Sequence, residues 1–196
     1  CARSDVGESA LREKLIDTGY VMPHWPRPWG RAADSVEQLV IEEEMATAGV
    51  KRPVYSITGW VILTLIQQGT QDQIDRFVRP ALLGDEVWCQ LFSEPGAGSD
   101  AAAVSTRATR VDGGWRINGQ KVWISRVQHS DLMILLARTT PLDQVAKKTE
   151  GMSIFLVDLK SAIGHGMVVR PIPNMVNHET NELFFDDLEL PEDSLI

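Results

Sequence analysis

The sequence predicts an α+β multidomain chain: an all-α N-terminal domain over residues 1–86, then an antiparallel β-barrel-like domain over residues 87–196. Three observations carry this reading. Helix caps and glycine stops alternate through the first part of the chain. After Glu86 the apolar period shortens to that of strands. The strands are short and closely spaced, and strands that follow a run of helices point to α+β with a barrel or sandwich.

Residues 10–18 carry Leu11, Leu15 and Ile16 at helical spacing and meet Gly19, which suits the C′ position. Met22-Pro23-His24-Trp25-Pro26-Arg27-Pro28-Trp29-Gly30 follows, and its three prolines forbid helix. Ser35 opens a second helix as a capping box with Gln38; Leu39, Ile41 and Met45 lead on to Gly49. Residues 54–68 form a third helix, stopped by Gly69. Thr70 caps a fourth, with Gln73 three positions on, and that helix finishes near Gly84.

Strands are predicted over residues 87–92 and 104–111. In Trp115-Arg116-Ile117-Asn118-Gly119-Gln120-Lys121-Val122-Trp123-Ile124, Asn-Gly sits between alternating apolar positions and predicts a hairpin turn. Further strands fall at residues 132–137, 153–159, 168–172 and 183–190, and the polar stretch 141–150 reads as a mobile loop. There is no internal repeat.

With 43% hydrophobic and 23% charged residues, the 196-residue chain has the balance of a soluble globular protein. A net charge of -8 argues against nucleic acid, which needs clustered cations. Lys147-Lys148 is the densest basic spot and reads as a solvated loop, as Glu42-Glu43-Glu44 reads as a helix face. Cys1 and Cys89 make no disulfide framework, and His24, His129, His165 and His178 lack metal-ligand spacing, so no metal is expected. No apolar run spans a membrane, and a cytoplasmic protein is expected. The chain opens with Cys1, not Met; with a lost transit peptide the matrix of an organelle is the alternative.

Chemistry concentrates in Phe92-Ser93-Glu94-Pro95-Gly96-Ala97-Gly98-Ser99-Asp100. Gly96 and Gly98 permit φ > 0 and the close approach of a ligand, and Ser99 adds a donor to an anion-binding turn. The same residue types also make an ordinary surface turn. Gly96 to Ala101 fits G-x-G-x-x-A, but Val104-Ser105-Thr106 leaves no room for the long helix of a dinucleotide fold. Trp123 reads either as a packing aromatic or as a flat wall for a planar ring, with Ser125 two residues on and so on the same strand face. Glu94, beside Pro95, reads as a turn-stabilising carboxylate.

Together, residues 92–100 and Asn118-Gly119-Gln120-Lys121-Val122-Trp123-Ile124-Ser125 resemble the acyl-CoA dehydrogenase signature. Gly69-Thr70-Gln71-Asp72-Gln73, Leu135-Leu136-Ala137-Arg138-Thr139, Glu182-Leu183-Phe184-Phe185-Asp186-Asp187 and Leu190-Pro191 resemble flanking stretches of that family, in the right order. The chain departs from the family at Trp29-Gly30-Arg31, where Tyr-Gly-Gly is more usual, and at Ile74, where Lys is common.

The resemblance implies a helical N-terminal domain, here lacking its first helix, and a flavin-binding middle domain. The chain stops at Ile196, where the family's C-terminal helical bundle would begin. It implies FAD-dependent α,β-dehydrogenation of an acyl-CoA thioester to a trans-2-enoyl-CoA, with an electron-transfer flavoprotein or similar acceptor and a homo- or hetero-oligomeric assembly. Ser93, with the backbone of Leu91 and Phe92, would line the flavin edge where charge builds, Trp123 would cover the ring, Ser125 would bond near N5 and O4, and Gln90 and Ile124 would be further cofactor-binding residues. Gly98 and Ser99 would hold the pyrophosphate region, with Ser99 also at the acyl-CoA. The family's catalytic glutamate belongs to the bundle, so no catalytic residue is assigned here, and the chain alone is expected not to dehydrogenate. A non-catalytic subunit paired with an active partner, an acyl-CoA oxidase and a flavin monooxygenase of similar fold are the alternatives.

Overall fold

The computed structural model describes residues 7–176 and 179–196; Cys1 and His178 lie outside them. The chain divides into two compact units, Cys1–Gln67 with Gln71–Asp85, and Gln68–Thr70 with Glu86–Ile196.

The first unit is helical: α1 (Glu8–Asp17), α2 (Ser35–Ala48), α3 (Ile57–Gln68) and α4 (Gln71–Leu83). Helix α1 stops where expected, with Gly19 at φ 72 and its N–H donating to the Ile16 carbonyl at 3.0 Å. In the proline-rich stretch, the amides of Arg31 and Ala33 return to the Pro23 carbonyl at 3.0 and 2.9 Å, over a buried Trp25. The capping box of α2 is one residue earlier than the sequence suggests. Asp34 accepts from the Val36 and Glu37 amides at 2.9 and 2.8 Å, while Glu37 accepts from the Asp34 amide at 2.9 Å. A carboxylate opposes the positive end of the helix better than the Ser35 hydroxyl, so Asp34 takes the cap.

Helix α2 has no buried residue, and its Val36, Leu39 and Val40 are exposed. Glu42 on this helix pairs with Arg52. Helix α3 begins at Ile57, not at 54, because Ser56 adopts φ 50 and breaks the approach. It supplies the core through Val61, Ile62 and Leu65. The last carbonyls of α4 find partners outside the helix: Tyr55 Oη donates to Leu82 O and Arg12 Nη1 to Leu83 O, each at 2.5 Å.

The second unit is a curled seven-stranded sheet: β1 (Trp88–Leu91), β2 (Arg107–Val111), β3 (Gly114–Ser125), β4 (Leu132–Arg138), β5 (Met152–Asp158), β6 (Met167–Pro171) and β7 (Thr180–Pro191), with a short α5 (Leu159–Ala162). The strand order is β1-β4-β2-β3-β7-β6, and β5 pairs with β4. Most pairings are antiparallel, as expected for the barrel-like class; β4 runs parallel to β1 and to β2. Ile117, Met133, Leu135, Phe155, Met167 and Leu183 fill the core.

The predicted hairpin at Asn118-Gly119 is a misreading. The turn lies instead at Asp112-Gly113, with Gly113 at φ 80 and Val111 opposite Gly114. Asn118 and Gly119 sit inside β3, where the register against β7 slips between Ile117 and Gly119. A Cβ on Gly119 would lie 2.5 Å from Thr106 Oγ1, and the Asn118 side chain donates to Asp187 Oδ1 at 2.9 Å. The dipeptide marks a bulge and a close strand approach, which use the same residue types as a tight turn.

The stretch 141–150 is tethered. Arg138, buried, donates through Nη1 to Glu150 O at 3.0 Å and through Nη2 to Lys148 O at 2.9 Å. The same guanidinium holds Val104 O at 2.9 Å and Ala102 O at 2.5 Å. Lys148 in turn pairs with Asp100 at 2.8 Å. Among the described residues no helix is long and apolar enough to cross a membrane, and no group of three or more His, Cys, Asp or Glu could hold a metal ion.

Candidate functional site

The residues singled out in the sequence all fall in the sheet unit, on β1 and the turn after it and on the second half of β3. Among the described residues strand β1 pairs only with β4, so its other edge carries backbone groups outside the ladder. Gln90 and Leu91 lie on it, and Phe92 and Ser93 continue it, half-buried. The chain then closes a tight turn: the Glu94 amide donates to Ala97 O at 2.8 Å and the Ala97 amide to Glu94 O at 3.0 Å. Gly98 and Ser99 emerge from that turn exposed, ahead of a single 3-10 turn at Ala101–Ala103.

The glycines of this turn do not supply the positive φ read from the sequence. Neither Gly96 nor Gly98 has a positive φ. A Cβ on either would meet no atom of the chain within 4 Å. Neither backbone strain nor internal packing calls for glycine here; what its lack of a side chain does is leave the backbone open to an outside group.

Trp123 is the distinctive residue on β3. It is 62% exposed and has φ 61, and the register against β7 shifts between Lys121 and Ile124. A bulky residue with φ > 0 costs about 1–3 kcal/mol and persists only where its surroundings impose it. The packing-aromatic reading fails, since the ring does not enter the core. Val122 and Ile124 are buried on either side of Trp123, and Ser125 is half-buried; across the bulge the regular two-residue alternation lapses, since Lys121 and Val122 are both buried. Among the described residues, the hydroxyls of Ser93, Ser99 and Ser125 have no hydrogen-bond partner in the chain.

The two segments meet. The Val122 amide donates to the Ser93 carbonyl at 2.9 Å. Beside this bond lies an ion pair between Lys121 Nζ and Glu94 Oε1 at 2.8 Å, with side chains 0% and 4% exposed. Lys121 also donates to Phe92 O at 3.0 Å. Glu94 accepts from the Ser105 amide at 2.7 Å, the Ser105 hydroxyl at 2.8 Å and the Thr106 amide at 3.0 Å. Burial pushes the Glu94 carboxyl up, but the Lys121, Thr106 and Ser105 donors outweigh it and hold its pKa down to about 2. Burial pulls Lys121 below the usual lysine range, with Glu94 opposing. Glu94 is not the turn-stabilising carboxylate read from the sequence: backbone bonds close its turn, while its carboxylate is fully engaged by Lys121, Ser105 and Thr106 and is unsuited to act as a base. Burial also pushes the Cys89 thiol up to about 12, which leaves it unreactive.

Lys121 and Thr106 carry no role in the sequence reading. Lys121 sits 27 residues from Glu94, a separation that no local rule connects. Arg138, noted only as part of a strand, ties residues 102 and 104 to the 148–150 stretch. All these partners are long-range.

An exposed aromatic on a bulged strand thus stands one residue from Val122, whose amide ties that strand to the segment entering the glycine turn. Family comparison agrees with this class of fold. Residues 2–85 match the acyl-CoA dehydrogenase N-terminal domain, and residues 89–188 match the acyl-CoA dehydrogenase middle domain. The chain belongs to the acyl-CoA dehydrogenase family. It is 44% identical over 190 residues to acyl-CoA dehydrogenase FadE34 of Mycobacterium tuberculosis, covering 96% of this chain and 26% of that protein. Its fold is similar to a chain of the ChsE4-ChsE5 complex from Mycobacterium tuberculosis, with a TM-score of 0.72 and 30% identity over 95% of this chain and 46% of that one. It is also similar to the Tcur3481-Tcur3483 steroid acyl-CoA dehydrogenase, with a TM-score of 0.71 and 28% identity over 95% of this chain and 47% of that one. The chain thus spans less than half the length of each of these three relatives.

Proposed function

We propose that the protein carrying this chain binds FAD at the Ser93–Trp123 junction and dehydrogenates an acyl-CoA thioester to a trans-2-enoyl-CoA. The observation that carries this reading is Trp123: an exposed ring held at φ 61 beside the glycine turn. Such strain is retained where function requires it. Family membership supplies the class of reaction. When bound, the flavin provides the hydride acceptor.

The chain's own residues hold and polarise. Edge groups of β1 at Gln90 and Leu91, with Phe92 and the free Ser93 hydroxyl, present donors to the ring edge where negative charge builds. Trp123 covers one ring face and excludes water from it. Ile124, buried in the core, would anchor the strand beneath the cofactor, and the Ser125 hydroxyl would donate to it. Gly98 and Ser99 admit the pyrophosphate to the backbone of the turn, and the Ser99 hydroxyl also reaches the acyl-CoA. No residue of this chain is assigned as the base. Electrons leave to an electron-transfer flavoprotein or a similar carrier, and the assembly is an oligomer.

The test is cofactor content. Full-length protein carrying Trp123→Ala or Ser125→Ala should retain less FAD, or reduce it more slowly with acyl-CoA, than the wild type. Normal content and normal reduction in both variants would remove these residues from the site.

A further inference from the structure

The proposed site draws on two stretches far apart in sequence, residues 90–93 and 123–125, and a buried ion pair stands between them. Lys121 Nζ bridges Phe92 O at 3.0 Å and Glu94 Oε1 at 2.8 Å. Ser93 lies between those two acceptors in the chain, and Trp123 lies two residues beyond Lys121. The β3–β7 ladder lapses between Lys121 and Ile124, so regular strand pairing does not fix the Val122–Trp123 backbone. That backbone is instead held from the other side, by Val122 N–H on Ser93 O at 2.9 Å and by Lys121 on Phe92 and Glu94.

We infer that Lys121 and Glu94 are positioning residues for the cofactor: their pair orients the Phe92–Ser93 peptide and imposes the backbone turn that exposes Trp123. The inference rests on the flavin reading of the site. Stability alone explains the pair poorly, because a well-packed apolar pair of similar volume does as well or better than a buried ion pair. What an apolar pair lacks is direction. The ammonium places donors on two chosen acceptors, and Glu94 accepts three further hydrogen bonds from Ser105 and Thr106. The strained φ at Trp123 needs such over-determination. A loosened pair lets both stretches relax away from the ring together.

The experiment uses the full-length protein with Glu94→Gln and Lys121→Met combined, which removes both charges and leaves neither buried alone. Folding is checked by thermal unfolding, and two flavin properties are read: the FAD dissociation constant and the visible absorbance band. The dissociation constant should rise about tenfold, the scale of one buried hydrogen bond's worth of positioning, and the band should shift as the ring's surroundings change. A folded double variant with the wild-type constant and spectrum overturns the inference. If the double variant does not fold, Lys121→Arg decides by the same readouts. It keeps the charge, but its planar head cannot reproduce the two-acceptor geometry. A raised constant and shifted band then support the pair's role, and unchanged values refute it. Wild-type protein that takes up no FAD fails the flavin reading itself, before any variant is compared.

Discussion

The Val122 amide donates to the Ser93 carbonyl across 2.9 Å, joining the glycine turn after β1 to the bulged half of β3. This bond puts an exposed tryptophan next to an open-backbone turn. The fold reaches it through two irregularities, the turn closed between Glu94 and Ala97 and the register shift after Lys121.

Trp123→Gly should separate stability from binding. Glycine accepts φ 61 without strain, so the unfolding free energy should stay level or rise by about 1 kcal/mol. FAD retention should fall in the same variant. Urea unfolding and flavin content, measured together, check both halves; a destabilised variant with full flavin would show that Trp123 serves packing.

Gly98→Ala should leave the fold alone. The added Cβ meets nothing in the chain within 4 Å, and the φ there lies outside the left-handed region that favours glycine. Stability should change by no more than about 0.5 kcal/mol, as for an ordinary surface substitution. FAD affinity should drop, and more so for Gly98→Val. Unchanged affinity in the valine variant would place the turn away from the cofactor.

Glu94 should dominate one part of the acid response. Its folded pKa, about 2, lies below the ordinary carboxylate value of 4.5, so its contribution is complete above the unfolded pKa and lost as pH falls toward 2. Glu94→Gln should therefore be less stable than wild type at neutral pH, by an amount on the order of 1–3 kcal/mol, and the gap should close on acidification. Urea midpoints at a series of pH values between neutrality and the folded pKa read it directly. A gap independent of pH would mean that the carboxylate is not what the fold needs there.

Arg138→Met should strip partners from four carbonyls, those of Ala102, Val104, Lys148 and Glu150. A loss of roughly 2–4 kcal/mol is expected, since buried acceptors lose charged donors. Protease should cut between residues 141 and 150 faster than in wild type. Equal cleavage rates would show that the guanidinium does not restrain that stretch.

Local patterns made the helical unit and most strands legible, because caps, glycine stops and apolar periods are set by neighbours in sequence. The errors have physical causes. Asp34 and Ser35 are both good capping residues, and only charge against the helix dipole favours the first. Asn118-Gly119 suits a tight turn and a bulge alike; the approach of Thr106, 13 residues before Gly119, decided the matter. The motif residues Ser93, Gly98, Trp123 and Ser125 stood out in sequence, but their cause for standing out did not. Gly98 looked like a φ > 0 residue and is not one, while Trp123 holds a φ that no pattern announces. Lys121 carries no role in sequence; its place is set by Glu94, 27 residues away.

Anaerobic titration of the purified full-length protein with acyl-CoA thioesters, followed by flavin absorbance, tests the assignment most directly. The expected result is protein that carries FAD, bleaching of the flavin by at least one thioester, and a trans-2-enoyl-CoA recovered from the mixture. Protein that holds no flavin under saturating FAD, or flavin that stays oxidised against short, long, branched and steroid-derived thioesters alike, would contradict it.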